Sequence, residues 1–164
     1  MNSEIRIRPI GPPHRELLAG MYDRFDPLGA ALGLPPFKPA ARERWVERAL
    51  EQPVNVAAFS LFGELAAHCF MVADGPGSAE LAIFVHQDFR RQGVGTALLK
   101  AALELAAEEG IRRAWAMTSP ANRPALRLLA NSGMRLTKST SYEAEFEIHL
   151  AAPRPAARAL SLWA

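Results

Sequence analysis

The sequence has little of what builds covalent or metal frameworks. A single cysteine, Cys69, occurs in 164 residues. That excludes an intramolecular disulfide and a thiolate metal cluster, and it fits a reducing, cytoplasmic setting. No stretch reaches 18 uninterrupted apolar residues, so no membrane-crossing helix and no membrane partner are expected. Residues 1–6 lack the basic-then-apolar pattern of a secretory leader. Lysine is scarce: three (Lys38, Lys100, Lys138) stand against sixteen arginines, and the net charge is only +2. The basic residues are spread along the chain, without the clustered footprint of a nucleic-acid-binding surface. Apolar residues make up 49% and charged residues 22%, which excludes wholesale disorder and fits one domain with a substantial core.

Periodicity sketches the elements. Residues 4–8 alternate, with Ile5 and Ile7 on one face of a short strand. Residues 14–22 read as a helix with Leu17, Leu18 and Met21 on one side, and residues 40–50 as another with Trp45, Ala49 and Leu50 inward. Between them, residues 26–39 are rich in proline and glycine, a loop of the kind that shapes access to a site. Residues 54–62 and 65–72 read as apolar strands joined by a two-residue turn, Gly63-Glu64. The second half alternates strand (80–86), helix (93–109, closed by Gly110), strand (112–118) and helix (122–132, closed by Gly133). Strands at 134–138 and 142–150 follow. In the last, Glu143, Glu145 and Glu147 alternate with apolar residues, giving an acidic outer edge. Residues 1–150 are expected to form the domain and 151–164 an Ala/Pro/Arg-rich tail, with Leu160, Leu162 and Trp163 available to tack it down.

The chemistry concentrates between Glu80 and Thr96. There an apolar strand feeds a basic loop, the pair Gly93-Val94-Gly95, and a long amphipathic helix. The glycines permit a tight turn and close approach of a ligand to the backbone. The first amides of the helix are unpaired and carry partial positive charge, and Arg90 and Arg91 add to it. This is an anion site suited to phosphate or pyrophosphate. No Gly-x-x-x-x-Gly-Lys-Ser/Thr string is present. In a dinucleotide fingerprint the third small residue would fall on Leu98 and the ribose acid on Trp115, so neither nucleotide motif fits.

The string Arg90-x-x-Gly93-x-Gly95 after an apolar strand resembles the acetyl-CoA signature of the GCN5-related N-acetyltransferase (GNAT) superfamily. Asn122-x-x-Ala125-x-x-Leu128 ending in Gly133-Met134 is similar to that superfamily's second conserved segment. The resemblance runs from about Glu80 to Met134, with an echo at residues 5–9. It implies an α/β fold: a mixed, mostly antiparallel sheet of six to seven strands flanked by helices. Acetyl-CoA would lie between two splayed parallel strands, here 80–86 and 112–118. It further implies that amides of Arg91, Gln92, Gly93, Val94, Gly95 and Thr96, with Arg90 beside them, hold the pyrophosphate. Backbone groups of Phe84 and Val85 would pair with the pantetheine arm, and Asn122 would reach the arm or the pyrophosphate.

Two positions decide the expected chemistry. Leu129 stands where many members of the superfamily carry a tyrosine that protonates the leaving thiolate. Tyr142, Ser119 or water could replace it, and a thiol of pKa about 8.5 leaves without dedicated help. Glu80 opens an apolar strand, where a carboxylate should have a raised pKa and could take a proton from an ammonium. The surrounding residues are similar to bacterial protein-lysine acetyltransferases, in which a glutamate here is the base. The alternative is a solvated residue at a strand entrance. His68 and Cys69 face opposite ways in a strand and make a poor metal pair; no metal is expected. His86 relays a proton or caps its loop, with the capping role favoured.

The expected activity is therefore direct acetyl transfer from acetyl-CoA to a primary amine, a protein lysine first and a small-molecule amine second. Glu80 would act as base, and the N–H near Val85 would hold the oxyanion. Two other readings are a non-catalytic acyl-CoA sensor and a nucleic-acid module using the Arg90-Arg91 loop. The scattered basic residues disfavour the latter. A homodimer would use the last strand or the tail around Trp163.

Overall fold

The computed structural model describes residues 4–29 and 33–153. β1 (Ile5–Pro9) ends in proline, and a 3-10 turn (Pro12–His14) leads into α1 (Arg15–Asp23). This helix buries Leu18, Met21 and Tyr22. Leu17 points outward instead, 50% exposed, because the inward stripe follows i, i+3 and i+4 from Leu18. Pro39 sits in the first turn of α2 (Pro39–Leu50), where its missing N–H costs nothing. That helix buries Arg42, Val46, Ala49 and Leu50.

β2 (Val54–Ser60) is buried throughout and pairs antiparallel with β3 (Leu65–Gly75). The expected two-residue turn is longer. Leu61 and Phe62 are exposed and leave the strand, while Ser60 accepts the Gly63 amide and donates its own to Glu64. Pro76-Gly77 then turns the chain into β4 (Ser78–Val85). A crossover through α3 (Val94–Glu108) brings β5 (Arg113–Thr118) alongside β4 in parallel, as a helix-length connection allows. Next come α4 (Arg123–Asn131), β6 (Arg135–Ser139) and β7 (Ala144–His149).

The seven strands form one sheet in the order β1-β2-β3-β4-β5-β7-β6, with β4–β5 its parallel pair. β7 therefore lies inside the sheet, bonded to β5 and β6. The expectation of an acidic outer edge there, and of a dimer built through that strand, is corrected: β6 is the edge. The acids are also largely matched, Glu147 by Arg113 and His149 and Glu143 by Lys138.

Alternation sends successive residues to two cores. Val56, Cys69, Leu81, Ala114 and Phe146 pack under Leu98, Leu99 and Ala102 of α3. Ala57, Phe70 and Phe84 face Leu18, Tyr22 and Val46 of α1 and α2. On this second face the residues of β5 and β7, Arg113, Trp115, Met117, Glu145 and Glu147, are only half-buried. The result is a polar platform beside the α1–α2 side of β4. No helix among the described residues is long and apolar enough to cross a membrane. The tail from residue 154 on, with Leu160, Leu162 and Trp163, lies outside the described residues.

Candidate active site

The parallel pair is short. β4 and β5 share three rungs, Ser78/Arg113, Ala79/Ala114 and Glu80/Trp115, and then diverge. Beyond Glu80 each strand runs on without the other, leaving a wedge whose walls are backbone. The His86 amide bonds to Ala66 O at 2.9 Å on β3. Main-chain groups alternate sides along a strand. Phe84, opposite His68, is thus committed to β3, whereas Ile83 and Val85 face the wedge. The sequence expectation that Phe84 offers its backbone to a ligand is corrected, since its groups pair with β3.

The loop at the wedge's mouth presents the unpaired amides of a helix start. Arg91 has φ 61° and Gly93 φ 78°, two left-handed residues flanking Gln92. Gly93 begins α3 without a side-chain cap, and the first helical bond runs from Ala97 N to Gly93 O. The amides of Val94, Gly95 and Thr96 therefore have no intrahelical acceptor. Gly95 lies in a close approach: a Cβ there would sit 3.3 Å from both Val85 Cγ2 and Leu128 Cδ2. Arg91 is exposed at this loop. Arg90 is exposed at the same mouth. Its guanidinium donates to Val85 O (2.9 Å) and Asp26 O and lies over Phe25. Gln87 bonds to Arg24 O and Asp26 N. The two side chains tie the end of α1 and the loop after it to the mouth of the wedge.

Asn122 caps α4, its Oδ1 accepting from Ala125 N at 3.2 Å. Only its amide NH2 is left to reach a ligand. Leu129 is buried in the α3 core. Tyr142 is 88% exposed at the β6–β7 turn, and Ser119 accepts the Ala121 amide. His86 is buried, with Nδ1 accepting from Asp88 N and Nε2 lacking a partner among the described residues; it caps its loop. His68 and Cys69 separate to opposite cores, as expected. Burial pushes the Cys69 thiol up, so it is unreactive.

Glu80 occupies the last rung before the wedge, on the α1–α2 face. Burial raises its pKa, and the Asp74 carboxylate adds to the rise. Around it stands a group that sequence reasoning missed. Trp115, its rung partner, donates Nε1–H to Asp74 Oδ2 at 2.6 Å. The Ser78 hydroxyl and this indole hold the Asp74 pKa down. Arg113 donates to Ser78 Oγ (3.1 Å) and Glu147 Oε2 (2.6 Å), and the Arg113 hydrogen bond lowers the Glu147 pKa. A separate concavity of about 450 Å³ lies on the α3 face, lined by Thr96, Lys100, Leu103, Asn131 and Ile148, away from Glu80.

The residues that build this splayed pair and loop fall within a match to a known family. The profile of the Acetyltransferase (GNAT) family covers residues 18–134. The chain belongs to this family. It is an acetyl-CoA-dependent N-acetyltransferase, transferring an acetyl group to an amine. The fold is similar to the GNAT domain of S. lividans PAT, with 26% identity over 89% of this chain and 90% of that one and a TM-score of 0.75. It is also similar to the ribosomal-protein-S18-alanine N-acetyltransferase of Escherichia coli (18% identity, 94% and 98% covered, TM-score 0.68). A third similar structure is yncA from Salmonella typhimurium with its cofactor acetyl-CoA (18% identity, 93% and 98% covered, TM-score 0.71). Comparison with curated proteins gives no match.

Proposed function

We propose that this GNAT enzyme acetylates lysine side chains of proteins by direct transfer in a ternary complex, within one domain spanning residues 1–150. Amides of residues 91–96 hold the pyrophosphate, with Arg91 as the nearby charge. The pantetheine arm lies along the wedge-facing groups of Ile83 and Val85, and the Asn122 NH2 reaches it from α4. Glu80 is the base. Its raised pKa brings it nearer to that of the ammonium it must deprotonate.

Strand geometry refines the step. Glu80 and Val85 are five residues apart on an extended strand, about 16 Å at ~3.3 Å per residue. They cannot both touch one reacting carbon. Ile83 N–H, about 10 Å from Glu80 by the same rise, is the better oxyanion donor. Glu80 then takes the proton through water. The amine attacks the thioester carbonyl, the tetrahedral oxyanion leans on the backbone N–H, and coenzyme A leaves as the thiolate or thiol.

The observation that carries the lysine reading is the platform beside Glu80. Among the described residues it is open and polar, which suits a side chain presented on a polypeptide. A small amine would call for the enclosed concavity typical of small-molecule sites. The similarity around Glu80 and Asn122 to protein-lysine acetyltransferases supports the same choice. The test is incubation of the protein and Glu80→Gln with labelled acetyl-CoA and a whole-cell extract. Label in the protein fraction that falls at least tenfold in the variant is expected. Label confined to small molecules would replace the lysine reading with a free-amine one.

A further inference from the structure

Trp115 and Asp74 lie 41 residues apart in sequence, and nothing in the transfer step described so far uses them. Trp115 is the rung partner of Glu80 across β4–β5, so the two side chains leave the sheet on the same face about 5 Å apart at their roots. On the other flank of Glu80, β3 places Val72 directly opposite and Asp74 two residues further on. Glu80 therefore stands in a slot between two strands. An indole forms one wall, and the hydrogen bond from that indole runs across the slot to the far strand at 2.6 Å. The bond fixes the ring: a half-buried indole on an open platform otherwise has several rotamers. Ser78, bonded to Asp74 and Arg113, closes the root of the same slot.

We propose that Trp115, anchored by Asp74, is a positioning residue that holds Glu80 in its slot and keeps water from one side of its carboxylate. The proposal rests on the assignment of Glu80 as base. The charged groups facing the slot are Asp74 from β3, Arg113 from β5, and Glu147 and His149 from β7. Arg113 is taken up mainly by Glu147 at 2.6 Å and Glu147 by His149 at 2.7 Å, and its charge acts on Asp74 least of the influences there, so the Asp74 carboxylate still repels that of Glu80. The ring and the Asp74 charge both favour the protonated form of Glu80, the ring by displacing water and the carboxylate by repulsion.

The experiment is carboxyl-carbon NMR titration of the 13C-Glu-labelled protein, with Glu80 assigned by its loss in Glu80→Gln. It is run beside the extract-labelling assay and a calorimetric Kd for acetyl-CoA. Trp115→Ala is expected to move the Glu80 midpoint down toward the ordinary glutamate value, with the Asp74 repulsion keeping part of the rise. It should cut labelling about tenfold and leave the acetyl-CoA Kd within twofold. Trp115→Phe keeps a ring but cannot donate to Asp74; it shifts the midpoint the same way by less and guards against a misfolded alanine variant. A Glu80 midpoint unmoved in both variants overturns the proposal. So does a moved midpoint with labelling unchanged. Full labelling by Glu80→Gln itself would instead overturn the assignment of Glu80 as base, whatever the tryptophan variants do.

Discussion

The buried chain Tyr22–His68–Asn55 makes acid stability a sharp test of how the α1–α2 core is held. Asn55 donates its Nδ2 to Ala49 O, so its Oδ1 faces His68 Nε2 at 2.7 Å and requires a proton there. Nδ1 is then the acceptor and takes the Tyr22 hydroxyl at 2.7 Å. Both ring nitrogens are satisfied in the neutral form, at 0% exposure. Burial lowers the His68 pKa from 6.5 to about 3. Because the folded value is depressed, this contribution to stability is complete above pH 6.5. It falls as pH drops, since the unfolded chain takes up a proton that the fold refuses. The loss is about 1.4 kcal/mol per pH unit, hence roughly 2 kcal/mol at pH 5 and over 3 at pH 4. Urea melts of the protein and His68→Gln between pH 8 and 4 isolate it, because the carboxylates titrate alike in both. The variant should be less stable at pH 8 by about 1–3 kcal/mol from its disrupted bonds. The gap should close by roughly 2 kcal/mol at pH 5. A gap constant within a few tenths of a kcal/mol would refute the neutral buried imidazole.

Gly95→Ala should be nearly neutral in thermal melts, because a helix-propensity gain of about 1 kcal/mol offsets crowding of similar size against Val85 and Leu128. The same crowding displaces Val85, so calorimetry should show acetyl-CoA binding weakened roughly tenfold, a cost of ~1.4 kcal/mol. An unchanged Kd would show that Gly95 serves packing alone. Arg42 is 7% exposed and bonds Asp23, Pro36 O and Phe37 O. Arg42→Met should cost about 1–3 kcal/mol in urea melts, since Asp23 can rehydrate. Arg42→Lys, which keeps the charge without the fork, should recover only part of it.

What was readable beforehand was what local pattern encodes. Gly93, Gly110 and Asn122 mark helix ends because only certain residues suit those backbone angles and caps, and the helices begin and end there. Strand order has no such local signature, so the place of β7 between β5 and β6 was not legible, and its acids were misread as an edge. Leu61 and Phe62 extended an apolar run and were counted into β2, although apolar residues at a hairpin tip need not be buried. Sequence shows the Arg90 guanidinium as a charge beside the loop but not the carbonyls of Val85 and Asp26 that it bonds. The Trp115–Asp74 bond depends on the β3–β4–β5 register. A tryptophan in a strand gives no hint of its partner.

The three-rung contact between β4 and β5 also sets the mechanics of the molecule. It joins two half-sheets, β1 to β4 on one side and β5, β7 and β6 on the other. A sheet resists shear through many rungs loaded together, but a short parallel seam at the root of a wedge is loaded one rung at a time, like a zipper. Glu80 and Trp115 form the rung at the tip of that seam. Opening the halves by prying would strain this rung first, and a molecule bridging the two walls would carry the load in its place. The line along which the sheet is held by fewest rungs thus passes through the residue assigned to its chemistry.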